Sequence, residues 1–221
     1  MSDSSQNRMI VVDGIDGSGK GVQSRRLLQS FVTAGESAIL TREPGGSAAA
    51  EEIRRLLVRG DPGKWDDMTE LLLMYAARRA HLRDTVWPAL DAGQWVISDR
   101  YADSSRAFQG IAGNLGLDTV ESIHRLVVDD FEPALVLILD LPVALALERT
   151  RERGDDENRF EQKGEEYHVR VREAFRLIAA SNPVRYRLID AAGSMDEVSA
   201  DIVDNINAHF ALQLEPETGV C

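Results

Sequence analysis

Residues 9–22 read Met9-Ile10-Val11-Val12-Asp13-Gly14-Ile15-Asp16-Gly17-Ser18-Gly19-Lys20-Gly21-Val22: an apolar run, a glycine-rich turn ending in lysine, and a helical pattern directly after it. Gly14, Gly17 and Gly19 accept positive φ and carry no Cβ. Consecutive backbone N–H groups of such a turn converge on phosphate oxygens, and Lys20 adds a point charge at the same place. The bound anion also meets the positive end of the following helix dipole. The spacing from Gly14 to Lys20 fits G-x-x-x-x-G-K-[ST] up to its last position, where Gly21 stands in place of a hydroxyl that would ligate magnesium.

Further short apolar runs at Ala38–Leu40, Trp95–Ile97, Leu135–Leu139 and Arg187–Ile189 are continuous rather than alternating, as strands buried on both faces require. Helical faces lie between and after them: Leu27, Leu28, Phe31 and Val32 before a stop at Gly35; Tyr167, Val171, Ala174, Phe175 and Ile178; Val198, Ile202, Val203, Ile206 and Phe210. This alternation predicts an α/β fold of the P-loop type, a doubly wound five-stranded parallel sheet with ligands at the carboxyl ends of its strands. No repeat or linker divides 9–211, so one domain is expected, with a polar N-terminal tail over 1–8 and a loose C-terminal tail over 212–221.

Composition narrows the partners. A formal net charge of −12 excludes a general nucleic-acid-binding surface, so a phosphorylated substrate must be met by local arginines. No apolar stretch reaches membrane-spanning length and no secretory signal opens the chain. The single cysteine, Cys221, has no partner within the chain, which favours a cytoplasmic setting.

Two charged motifs follow strand ends. In Ser98-Asp99-Arg100-Tyr101, Asp99 is placed to hold magnesium, directly or through water, and Arg100 to grip an acceptor phosphate bidentately. In Thr41-Arg42-Glu43-Pro44-Gly45-Gly46, the turn aims Arg42 into the cleft as a phosphate contact, with Glu43 as its orienting carboxylate. Taken singly, each is equally an ordinary charged turn. In order along the chain, with Ser104-Ser105-Arg106-Ala107-Phe108-Gln109-Gly110 after the second, they resemble the thymidylate kinase family from about Met9 to Ile206.

That resemblance implies transfer of the ATP γ-phosphoryl group to dTMP, with magnesium, by a cytoplasmic homodimer; the Leu71-Leu72-Leu73 region is a candidate dimer face and equally a candidate core. ATP would lie on Gly14 to Val22, with Arg149 against adenine. The dTMP site would comprise Asp13, Arg42, Glu43, Pro44, Met74, Arg78, Arg100, Ser105, Phe108 and Gln109. Arg42 and Arg100 would hold the phosphate, Arg78 would hydrogen-bond the base, Ser105 would contact thymine and Phe108 would pack beneath the deoxyribose; Phe108 is also readable as a core aromatic. Met74 stands where the family usually has phenylalanine. The arginine-rich stretch 149–163 resembles a lid, with Arg153 as the catalytic arginine beside Lys20 and Asp99. Gly21 departs from the family pattern. Either Asp99, with Asp13, retains the magnesium through water and phosphate oxygens, or the chain binds nucleotides without turnover.

Overall fold

All six residues of β1, Met9–Gly14, are buried, as a strand flanked on both edges and covered on both faces requires. It pairs in parallel with β3, Trp95–Asp99, on one side and β4, Leu135–Asp140, on the other. β2, Ala38–Arg42, adds to β3, and β5, Tyr186–Asp190, to β4, giving the all-parallel order β2-β3-β1-β4-β5. These are the five strands the sequence predicts. The computed structural model describes residues 7–153, 159–160 and 163–219, without the side chains of Pro62, Glu152 and Arg153.

The register does the positioning. Val12 lies opposite Asp99, and Asp99 opposite Arg42, so β2 and β3 end level while β1 runs two residues further, to Gly14. Chain direction across the sheet reverses at β1, whose neighbours lead to β2 on one side and β5 on the other. A crevice opens at the carboxyl ends of strands at such a switch point.

Helices α1, Lys20–Thr33; α2, Ala48–Val58; α3, Asp67–His81; and α4, Trp87–Asp91, lie between β1 and β3. Next come α5, Ala102–Ser105, which runs into a π-helical turn over Arg106–Ile111, and α6, Leu117–Val128. α7, Val143–Arg153, and α8, Glu165–Ser181, separate β4 from β5, and α9, Met195–Phe210, follows. Local chemistry sets several starts. Ser47 accepts from the Ala50 N–H ahead of α2, Asp66 from Thr69 ahead of α3, and Ser194 and Glu197 form a reciprocal capping box ahead of α9. Among the described residues no helix is long and apolar enough to cross a membrane.

Leu27 and Phe31 of α1 are buried, but Val32 is 53 % exposed. At ~100° per residue Val32 lies roughly 140° round the helix from Leu27, too far to share its face. Phe210 is only partly buried and packs edge-on against Trp95, centroids 4.9 Å apart. Leu71 is core, joined to Tyr75 and Val120, whereas Leu72 faces out, 53 % exposed.

Both expected tails are tied down where they are described. Asn7 donates to the Glu132 carbonyl, and Arg8 donates to that of Gly93 while lying over Trp95. Beyond α9 the predicted loose segment is docked. Leu214 is buried in the core, and Asn207 brackets its backbone, accepting from the N–H at 2.8 Å and donating to the carbonyl at 2.9 Å. Arg26 donates to the Gly219 carbonyl at 2.6 Å. One leucine in a polar stretch carries no periodicity, which is why the sequence reads as loose there.

Leu214→Ala should therefore cost about 2 kcal/mol and lower the melting temperature by roughly 4–8 °C, whereas the exposed Glu215→Ala should move it by less than roughly 2 °C. Equal melting curves for the two variants would mean that the tail is not part of the core.

Candidate active site

The loop after β1 takes its shape from glycine. Gly17 has φ 82°, and a Cβ there would collide with the Ala146 carbonyl of α7, so the loop passes against that helix only without a side chain. Lys20 opens α1 and folds back over the turn, donating to the Ile15 carbonyl at 2.7 Å and to Ser18 Oγ at 3.4 Å. Burial, reinforced by Arg100, brings its pKa down to about 8, with Asp16, Asp99 and Asp13 opposing.

A cleft of about 880 Å³ runs over this loop. Its walls include 16–22 of the loop, and Arg42, Glu43, Pro44, Met74, Arg78, Asp99, Arg100, Ser105, Phe108, Gln109 and Arg149, all singled out from sequence. Asp13, Gly14 and Ile15 are not on the wall. Asp13, expected from the sequence to share magnesium, is fully enclosed and not on the wall. Its Oδ1 instead accepts from the Gly14 N–H, from Ser104 Oγ at 2.8 Å and from Arg100 at 3.2 Å. Its Oδ2 is buried without a hydrogen bond among the described residues. Burial raises the pKa to about 6 despite Arg100 and Ser104.

Arg100, at φ 73°, turns its guanidinium back under the phosphate loop. It also pairs with Asp16 and donates to the Gly14 carbonyl and Ser104 Oγ. Burial works against the Asp16 charge, but Arg100, Lys20 and His168 outweigh it and hold the carboxyl below its usual range. Arg100 is thus fixed from two sides while its face stays on the cleft.

Glu43 does not orient Arg42. Its carboxylate, 4 % exposed, accepts from Arg78 Nε at 2.7 Å and meets His81 Nδ1 at 2.9 Å; His81 Nε2 in turn meets Thr41 Oγ1 at 2.6 Å. Arg42 pairs with Glu51 of α2 instead, at 3.2 Å. Adjacent residues of extended backbone point to opposite sides, so Arg42 and Glu43 cannot share a partner there. Despite burial, Arg78 and His81 hold the Glu43 pKa below its usual value.

Arg78 also donates to the Tyr101 carbonyl and to Ser105 Oγ, and its guanidinium lies over the Tyr75 and Tyr101 rings, 4.4 and 5.2 Å from their centroids. Its Nη1 is buried with no hydrogen-bond partner among the described residues. Phe108 meets Phe160, Tyr167 and Phe175 edge-on in the core, as its core reading has it, and the same residue lines the cleft beneath Arg100. Gln109 is held by Glu70, at 2.8 Å.

At the far end the wall is Arg149, Ala191, Met195 and Val198. Arg149 belongs to α7, and Arg153 ends that helix with its side chain outside the described residues, as do 154–158 and 161–162 of the expected lid. Arg159, within that stretch, is fully buried and pairs with Glu70 at 2.7 Å, so it is an anchor rather than a solvated lid charge. Sequence reasoning missed Arg25, Arg54, Ala191, Met195 and Val198. The S-x-x-E pattern at Ser194 and Glu197 carries a usable signal, since a capped helix directly after a strand starts at the sheet edge where ligands bind.

A family model described as thymidylate kinase matches residues 12–202. A thymidylate kinase of Ruegeria pomeroyi is 44 % identical over 91 % of this chain and 95 % of that protein, and one of Dinoroseobacter shibae is 45 % identical over 90 % and 96 %. The crystal structure of thymidylate kinase from Ehrlichia chaffeensis superposes with a TM-score of 0.71 at 30 % identity, covering 90 % of this chain and 97 % of that one. With the model spanning most of its length and relatives this similar along nearly all of it, the chain belongs to the thymidylate kinase family.

Proposed function

We infer that the chain transfers the γ-phosphoryl group of ATP to dTMP, giving dTDP and ADP. One observation carries the acceptor side: buried Arg78, fixed by Glu43 at 2.7 Å, keeps Nη1 unpartnered beside a wall of Met74, Ser105 and Phe108. A fixed donor among apolar surfaces suits a planar base, and a buried donor left unpaired discriminates strongly between bases. Arg100 and Arg42 bind the acceptor phosphate, with Arg100 pre-oriented by Asp13 and Asp16. A dTMP phosphate oxygen then attacks the γ-phosphorus in line, and the ADP oxygen leaves with the bond electrons.

ATP lies on the loop from Gly14 to Val22, with Lys20 at its terminal phosphates and Arg149 against adenine. Arg153 supplies charge to the transferring group from the end of α7. Magnesium, when bound, neutralises charge shared by the β- and γ-oxygens. The donor set suits an ion held mostly by phosphate and water: among the described residues no group of three or more His, Cys, Asp or Glu side chains is gathered to hold a metal, and Asp99 is the carboxylate on the wall beside Gly21. A cytoplasmic homodimer completes the reading, supported by the lone cysteine and by Leu72 facing outward from α3.

An acceptor panel tests the assignment: with ATP and magnesium, ADP should form rapidly with dTMP and far more slowly with dUMP or with ribonucleotides. Nucleotide binding without turnover on any acceptor would replace it with a silent binder.

Arg100→Ala and Arg42→Ala should raise KM for dTMP by roughly 10–100-fold, the worth of a charged hydrogen bond, and weaken ATP binding far less. Equal losses for both substrates would show that these arginines do not belong to the acceptor.

For the metal, Asp99→Asn should nearly abolish activity and raise the magnesium requirement. A Cβ at Gly21 would stand 3.4 Å from Asp99 Oδ2, an ordinary contact, so Gly21→Ser has room and should lower that requirement. Asp13→Asn should not shift it at all, which magnesium titrations at saturating ATP and dTMP will check.

Asp13 also predicts a pH effect. Its folded pKa of about 6 lies above the unfolded 3.8, so the folded state keeps the proton longer and loses stability as pH rises between those values. The stability of Asp13→Asn relative to the natural chain should therefore increase from pH 4 to above pH 6 in denaturant titrations, and a constant difference would contradict the raised pKa.

A further inference from the structure

Arg25 is the one cleft residue of α1 beyond the phosphate loop whose charge the reaction as described leaves unused. It lies one helical turn after Gly21, and a helical side chain leans over the turn N-terminal to its own Cα. Here that turn begins at the phosphate loop. Because Gly21 has no side chain, the guanidinium enters the space: Nη1 lies 3.6 Å from where a Gly21 Cβ would be, and Asp99 Oδ2 lies 3.4 Å from the same point on another side. Gly21, Arg25 and Asp99 all wall the cleft.

The Arg25 guanidinium makes no hydrogen bond and no ion pair among the described residues, although acids outnumber bases in this chain by 37 to 25. Neighbouring arginines are engaged: Arg26 with Asp196, Arg100 with Asp13 and Asp16. A lone cation beside the positive end of a helix is disfavoured for folding, so its setting suits an anion that arrives later.

We propose that Arg25 is a further contact for the terminal phosphates of the nucleotide donor, occupying the place of the hydroxyl that Gly21 lacks. The position after a phosphate-loop lysine ordinarily reaches the β- and γ-oxygens through a metal-bound hydroxyl. A guanidinium at the same corner reaches those oxygens directly, by charge-assisted hydrogen bonds. Glycine at 21 and arginine at 25 then form a linked pair, in which the first clears the space the second uses. This rests on the kinase reading of the cleft.

The test is a double-mutant cycle over Arg25→Ala and Gly21→Ser, read as equilibrium binding of ADP and of a non-hydrolysable ATP analogue, with and without magnesium, and as melting temperature. Arg25→Ala should weaken binding of the ATP analogue about tenfold, also without magnesium, leave dTMP binding unchanged and not lower the melting temperature. In the Gly21→Ser background the same change should cost less than about threefold, because serine and arginine compete for one corner. Equal losses in both backgrounds overturn the pairing, and so does an Arg25→Ala chain that binds the ATP analogue normally or melts earlier. Absence of dTMP turnover in the unmodified chain, with this binding pattern intact, would instead remove the kinase reading.

Discussion

The level alignment of Val12, Asp99 and Arg42 across β1, β3 and β2 is the constraint on which the site depends. Side-chain period in a strand is two residues, so a slip of one position would turn Asp99 to the opposite face and move every loop at that edge. In these strands, buried almost throughout, the apolar pattern does little to fix register, and the polar ends Asp13 and Asp99 mark it instead. Phosphate loop, Arg42-Glu43 turn and Asp99-Arg100 turn consequently meet at one mouth, though they lie far apart in sequence.

The cleft is charged before any substrate arrives, and its charges are restrained in pairs. Arg100 is held by Asp13 and Asp16, and Arg78 by Glu43, which His81 also holds. Buried ion pairs of this kind add little net stability, since desolvation offsets most of the attraction. Their value lies in geometry: a guanidinium fixed before binding spends no further side-chain entropy when the phosphate or base arrives. In a chain with net charge −12, such pairs also keep arginines in this cleft.

The two substrate sides share a physical frame. Glu70 of α3 accepts from Gln109 on the cleft wall and pairs with Arg159 and Lys163, both within the stretch 149–163. Phe160 joins the same frame, edge-on to Phe108. This part of the cleft wall and the described end of 149–163 are therefore packed together, although that stretch reads in sequence as a run of solvated charge.

Sequence alone determined the parallel sheet, the phosphate loop and the family, because each rests on local signals: continuous apolar runs, glycines at fixed offsets, and short motifs directly after strands. It also supplied much of the cleft wall, from the phosphate loop and the strand-end motifs at Arg42 and Asp99, and, through the family resemblance, from Met74, Arg78, Ser105, Phe108, Gln109 and Arg149. Tertiary structure decided the partners. That Glu43 serves Arg78 and not Arg42, that Asp13 is enclosed behind Arg100, that Arg159 is an anchor, that Leu214 is core and that Arg25 fills the corner beside Gly21 all depend on contacts between distant segments. Composition and periodicity record which residues are present and which face they share; they carry no record of which distant side chain, among many of the right charge, comes within hydrogen-bonding distance.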